Sequence, residues 1–247
     1  MNKLIFRGAL RLGLLVLFLE LLTARAQMPG GDNSAMIKLF GDNAAFTARA
    51  EVQVAGTNRI IWFRMPSTFT EADNKLRVEV DLGQIQSRAV GPAVIAHYKQ
   101  LGIDRVTSVV RPDKRVTYII YPNARSYATM PLAVEDAQIA SQKLEKKPLG
   151  RETVDGHACV KNYSTVKSPK GAVLLQAVTW NAADLKDFPV QIQTQENGNT
   201  TLMHFQQISL AKPAATLFEP PAGYKQFSNP QDLQDAAEKQ ADGRKKK

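Results

Sequence analysis

Leu76-Arg77-Val78-Glu79-Val80-Asp81-Leu82 alternates apolar and polar residues without a break over seven positions. Successive side chains of a strand point to opposite faces, so this stretch reads as a strand with one buried and one wet side. Ala48-Arg49-Ala50-Glu51-Val52-Gln53-Val54 repeats the pattern. Ile60-Ile61-Trp62-Phe63-Arg64-Met65 is apolar on both faces and predicts a strand covered on both sides. Residues 189–195 and 200–210 flank Glu196-Asn197-Gly198-Asn199, whose Asn-Gly pair is a strong hairpin signal. Two further hairpins follow the same logic. One joins residues 106–110 to 116–121 through Pro112-Asp113, and the other joins a strand running from His157 through Tyr163 to residues 172–180 through Ser168-Pro169-Lys170-Gly171.

Helix signals are fewer. Gly91-Pro92 opens one, Val94, Tyr98 and Leu101 form its apolar stripe, and Gly102 closes it. A second is predicted from near Pro131, with Ala133, Ala137, Ala140 and Leu144 as its stripe and an end before Pro148. The sum is a mainly β (α+β) fold of about ten strands.

The chain of 247 residues carries 44% hydrophobic and 22% charged residues, an ordinary globular balance. One cysteine and three scattered histidines exclude a disulfide framework, a cysteine-based zinc site and a histidine-rich metal site. No cofactor is expected. Residues 1–26 read as a secretory signal peptide. Lys3, Arg7 and Arg11 precede an eight-residue apolar run, residues 12–19, and Ala24-Arg25-Ala26 supplies the small residues for cleavage after Ala26. That run is too short for the roughly 20 residues of a spanning helix. Of the net charge of +9, the first 26 residues contribute +3, and Arg244, Lys245, Lys246 and Lys247 contribute +4 of the rest. Basic charge collected at the two ends does not make a nucleic-acid-binding face, so no nucleic acid partner is expected. The basic end is instead a point for transient contact with an anionic membrane surface. The division read from the sequence is 1–26 signal peptide, 27–44 N-terminal loop, 45–227 folded domain, and 228–247 polar basic helix or disordered tail.

Ser164-Thr165-Val166-Lys167 has the S-x-x-K spacing, but in a β pattern residues three apart face opposite ways. His157 and Cys159 share a strand face, and the reading of both is structural. There is no H-E-x-x-H and no glycine-rich phosphate loop, and no enzyme activity is expected.

The second half carries a resemblance. Its residues are Gly150 to Cys159, Val178-Thr179-Trp180, Asp184-Leu185, Phe188-Pro189-Val190, Phe205 to Ile208, and Leu217-Phe218-Glu219-Pro220-Pro221-Ala222-Gly223-Tyr224. Tyr118 to Pro122 and Tyr127 to Pro131 suit the same pattern. In this order they resemble the LolA-like superfamily, which includes a periplasmic lipoprotein carrier, its outer-membrane acceptor, a stress regulator and uncharacterised exported families, to one of which the sequence looks closest. The resemblance spans roughly residues 45–227. It implies a curved antiparallel sheet, an unclosed barrel, with two or three helices lidding the concave face. It implies a soluble periplasmic protein that shelters a lipid, acyl chain or lipoprotein there, with Trp62, Met65, Tyr118, Trp180 and Phe205 as lining residues. The alternative is an envelope regulatory or protein-interaction module using the same sheet without a lipid. The carrier's functional arginine has no matched position in this chain, and no cysteine near Ala26 offers a lipid anchor.

Overall fold

The hairpins organise the molecule. Asn197 and Gly198 adopt φ of 47° and 78°, the left-handed pair that a two-residue type I′ turn requires. This turn joins β11 (Phe188–Glu196) to β12 (Asn199–Ser209). Asp155 and Gly156 do the same between β8 (Lys143–Val154) and β9 (His157–Lys167). With β10 (Val173–Ala182) these strands form a meander, β8 to β12, paired in sequence order. The computed structural model describes residues 33–41, 43 and 45–245. The expected signal segment 1–26, and Lys246 and Lys247, lie outside the described residues.

A second meander comes from the first half. β1 (Ala45–Ala55), β2 (Ile61–Ala72), β3 (Lys75–Asp81), β5 (Arg105–Arg111), β6 (Val116–Tyr121) and β7 (Ser126–Pro131) follow one another, and the two-residue β4 (Gln86–Ser87) pairs with β2. The meanders meet where β1 pairs with β12, Ala50 opposite Phe205 and Val52 opposite Met203. The short β13 (Lys225–Phe227) adds in parallel to β7, giving one unclosed 13-stranded sheet. The seven-residue alternation that predicted β3 is realised: Leu76 and Val80 are buried, while the polar residues between them are half-buried on the other face.

Among the described residues four α-helices accompany the sheet. α2 (Pro92–Leu101) has the predicted boundaries, with Gly102 at φ 73° accepting the left-handed cap that a Cβ would strain. α4 (Pro230–Lys245) buries Leu233 and starts with Asn229 Oδ1 accepting from Asp232 N at 2.9 Å. Three expectations are corrected. Residues 33–39, read as loop, form α1 (Asn33–Leu39), because Ala35, Met36, Ile37, Leu39 and Phe40 bury together. The helix predicted from Pro131 toward Pro148 shrinks to α3 (Val134–Ala137) and a 3₁₀ turn at Ile139–Ser141. Leu144 belongs to β8, where pairing with β9 along the whole strand overrides an alanine-rich local preference. Finally, the Ile60–Met65 stretch is covered on one side only: Phe63 and Met65 are buried, Trp62 is half-buried and Ile60 is exposed. It is the far end of β2, from Phe69 to Ala72, that is buried on both faces.

That second cover comes from a strap. After β12 the chain crosses the convex face, and Phe218 packs with Ala72, Val109 and Ile120 in a small outer cluster. Arg111, 6% exposed, clamps the strap. Its Nη1 donates to Phe218 O at 2.9 Å and to Glu219, and its other nitrogens hold Asp113 at 2.7 and 2.8 Å. Its hydrogen bonds lower the Asp113 pKa below the usual carboxylate range. Arg111→Met keeps the packing and deletes these charge-assisted bonds. It should lower stability by about 2 kcal/mol, checked by urea unfolding, because the one buried bond, to Phe218 O, contributes roughly 1.5–3 kcal/mol, while the exposed carboxylates of Asp113 and Glu219 return to water.

Candidate functional site

The register fixes which side chains face the hollow of the sheet. Directly opposed residues in an antiparallel pair share a face. Phe69 lies opposite Ala48, and Phe205 opposite Ala50. Small residues on β1 thus floor a trough with phenylalanine walls, and the Phe69 and Phe205 rings stand 5.3 Å apart at 80° across it. Met65, opposite Val52, extends the same face.

α1 fills the trough. It touches β3 on one arm of the sheet and β8, β9 and β10 on the other. Phe40, just past its end, is 1% exposed. Its ring centroid lies 4.5 Å from Phe46 and 5.6 Å from both Phe188 and Phe205. Asn43 Nδ2 clasps this end by donating to Phe40 O at 3.0 Å and Lys186 O at 3.1 Å. Tyr98 of α2 and Leu233 of α4 join the same core.

Polar atoms sit among these apolar ones. Glu71, opposite Phe46, is 2% exposed. Its Oε1 accepts from Asn74 N at 3.0 Å, whereas Oε2 is buried without a hydrogen-bond partner. Burial pushes its pKa up to about 7. Ser67 Oγ, opposite Ala50, and the Gln142 amide are also buried and unpartnered. Buried polar groups are nearly always hydrogen-bonded, so such a group on a concave face marks a place where a further polar group fits.

The five expected lining residues are not brought together. Met65 and Phe205 face the hollow. Trp62 lies at the bulge that interrupts β1–β2 pairing, half-buried, 5.9 Å from the Phe63 ring. Tyr118 lies opposite Val109 and packs against the outer cluster beneath the strap. Trp180 lies opposite Lys161 and Gln191, on the alternate face from Ile192. Its Nε1 donates to Glu152 at 2.6 Å, and Lys161 Nζ stands 4.8 Å from its ring. The residues missed were Phe40, Phe46, Phe69 and Glu71. Phe40 had a signal in the run Ala35-Met36-Ile37-Lys38-Leu39-Phe40, whose spacing is helical. Glu71, one acid in a threonine-rich stretch, had none.

The weighed catalytic pairs do not assemble. Ser164 is fully buried and hydrogen-bonds Thr179 at 2.8 Å, while Lys167 pairs with Glu145 at 2.7 Å. Cys159 Sγ donates to the His157 backbone carbonyl at 3.4 Å, whereas the imidazole Nδ1 faces Asp184 at 2.7 Å. Burial pushes the thiol pKa up, the reverse of what a nucleophile needs. Among the described residues no group of three His, Cys, Asp or Glu is placed to hold a metal ion, and no helix is long and apolar enough to cross a membrane.

A LolA superfamily protein from Nitrosomonas europaea superposes with a TM-score of 0.40 at 8% identity, over 75% of this chain and 94% of that one. The lipoprotein LppX of Mycobacterium tuberculosis gives a TM-score of 0.39 at 10% identity, over 73% of this chain and 96% of that one. A DUF1329 family protein from Desulfovibrio piger gives 0.34 at 10% identity, over 75% and 94%. No protein-family model and no curated protein matches the sequence.

Proposed function

We propose that the protein is a soluble, periplasmic, non-enzymatic carrier that shelters an acyl chain, lipid or lipoprotein in the hollow of its sheet. The observation that carries this reading is α1. A seven-residue helix outside the sheet packs against both arms of it, and the same interior holds the unpartnered polar atoms of Ser67, Glu71 and Gln142. An acyl chain would take the place of Ile37, Leu39 and Phe40, gaining about 0.8 kcal/mol per buried CH₂. No covalent step is involved. The basic end, from Arg244 onward, would add transient attraction to anionic membranes.

Native mass spectrometry of protein purified from a periplasm without detergent tests this. The expected result is a co-purifying lipid, or uptake of added lauric acid, with faster amide exchange across residues 33–40 on loading. A mass that stays that of the bare chain after incubation with phospholipid, fatty acid and acylated peptide would overturn it.

A second reading has one observation in its favour: the trough is filled by the chain's own rings and needs no ligand for closure. The sheet would then serve as an envelope regulatory or protein-interaction module, detectable by crosslinking in the periplasm.

A further inference from the structure

Where β3 ends and β5 begins lies a polar cleft of about 510 Å³. Asp81 closes β3 and caps the 3₁₀ turn Leu82–Gln84, and Asp104 and Arg105 open β5. Asn123 comes from the turn between β6 and β7, and Ile95 and Lys99, one helical turn apart on α2, form the remaining wall.

The cleft presents two cations and two carboxylates, incompletely satisfied. Lys99 is exposed, and its ammonium has no ion pair or hydrogen bond among the described residues. Arg105 approaches Asp81 at 3.5 Å and its side chain is otherwise exposed, so the guanidinium is open to a ligand. Asp104 is 8% exposed, and its only side-chain donor among the described residues is Asn123 Nδ2, at 2.9 Å from Oδ1. A bare phosphate here would meet Asp81 and Asp104, and a bare amine would meet Lys99 and Arg105. A ligand carrying both charges suits the cleft. Ile95 is half-buried against the main core, so the polar cleft borders the apolar interior directly.

We propose that this cleft takes the headgroup of a zwitterionic phospholipid with a primary ammonium, its phosphate toward Lys99 and Arg105 and its ammonium toward Asp104. The chains would pass Ile95 toward the trough. This rests on the carrier reading and names its ligand class. A free amino acid or glycerophosphoethanolamine shares the headgroup chemistry without the chains.

Titration calorimetry with the purified protein separates the alternatives. The probes are dihexanoyl-phosphatidylethanolamine, dihexanoyl-phosphatidylglycerol, glycerophosphoethanolamine and lauric acid. The ethanolamine lipid should bind about tenfold tighter than the glycerol lipid, the scale of one charge-assisted hydrogen bond. Lys99→Gln and Asp104→Asn should each weaken it about tenfold and leave lauric acid binding unchanged. Lys99 is exposed, so Lys99→Gln keeps the test valid where Asp104→Asn lowers the melting temperature. Equal binding of the two lipids, or indifference to Lys99→Gln, would overturn the headgroup site while lauric acid binding kept the carrier reading. Glycerophosphoethanolamine binding as tight as the lipid would make the cleft a site for a soluble zwitterion and overturn the proposal. Failure of every probe, lauric acid included, would remove the carrier reading and this inference together.

Discussion

Phe40→Ala lowers the stability of the folded protein by about 3–5 kcal/mol, the range for emptying a buried phenylalanine site. Phe40 is 1% exposed and touches three other rings, and all four sit between the arms of one sheet. Little relaxation is open to such a site, because Phe46, Phe188 and Phe205 are themselves held on strands. For a chain of this length the loss corresponds to a melting temperature lower by roughly 6–20 °C. Urea unfolding at constant m-value is the direct check, and a loss below about 1 kcal/mol would show that the ring is a minor contact. The same figure sets the scale for a ligand. At about 0.8 kcal/mol per methylene, the contacts of Phe40 equal four to six buried CH₂ groups. A twelve-carbon chain exceeds that, so Phe40→Ala should also tighten lauric acid binding.

Glu71→Gln stabilises the protein at pH 8 by up to about 3 kcal/mol and has little effect at pH 4. The folded pKa of Glu71 is raised to about 7 from an ordinary value of 4.5, with burial as the main cause. A raised carboxyl pKa means the folded state holds a proton that the unfolded state has lost. The stability penalty is therefore absent below about pH 4.5, grows as pH rises, and is complete above about 7. Glutamine keeps the carbonyl oxygen that accepts from Asn74 N and removes the charge. Chemical denaturation of both proteins across this range should give curves that converge at acid pH and diverge above neutrality. Parallel curves would mean that the carboxylate reaches water.

The strands were legible because period-two alternation and turn chemistry are local. Asn197-Gly198 specifies its hairpin from two residues, and Gly91-Pro92 with Gly102 bracket α2 almost to the residue. Long-range choices were not legible. Alternation says that Tyr118 and Trp180 have a buried side, but not that a strap buries Tyr118 on the convex face. Nor does it say that Glu152 and Lys161 enclose Trp180 on the face opposite Ile192. The expected lining of the hollow followed from the resemblance and from strands apolar on both faces, whereas only the register assigns a face. Arg111 in β5 shows the same limit, since its partner Glu219 is 108 residues away.

The seam between the meanders sets an order of assembly. Within each meander, strands pair with near neighbours in the chain, so those ladders close small loops. β1 is different: it pairs with β2 at once, but its other edge waits for β12, about 150 residues later. Loop-closure entropy rises with this separation, which makes the seam the slow ladder. Until residues 199–209 arrive, the β1 edge stands open to any extended segment, its own or a neighbour's. A polypeptide emerging from its N-terminus therefore cannot complete this sheet until nearly all of it has been delivered. That delay favours a chain held open by other proteins until delivery is finished.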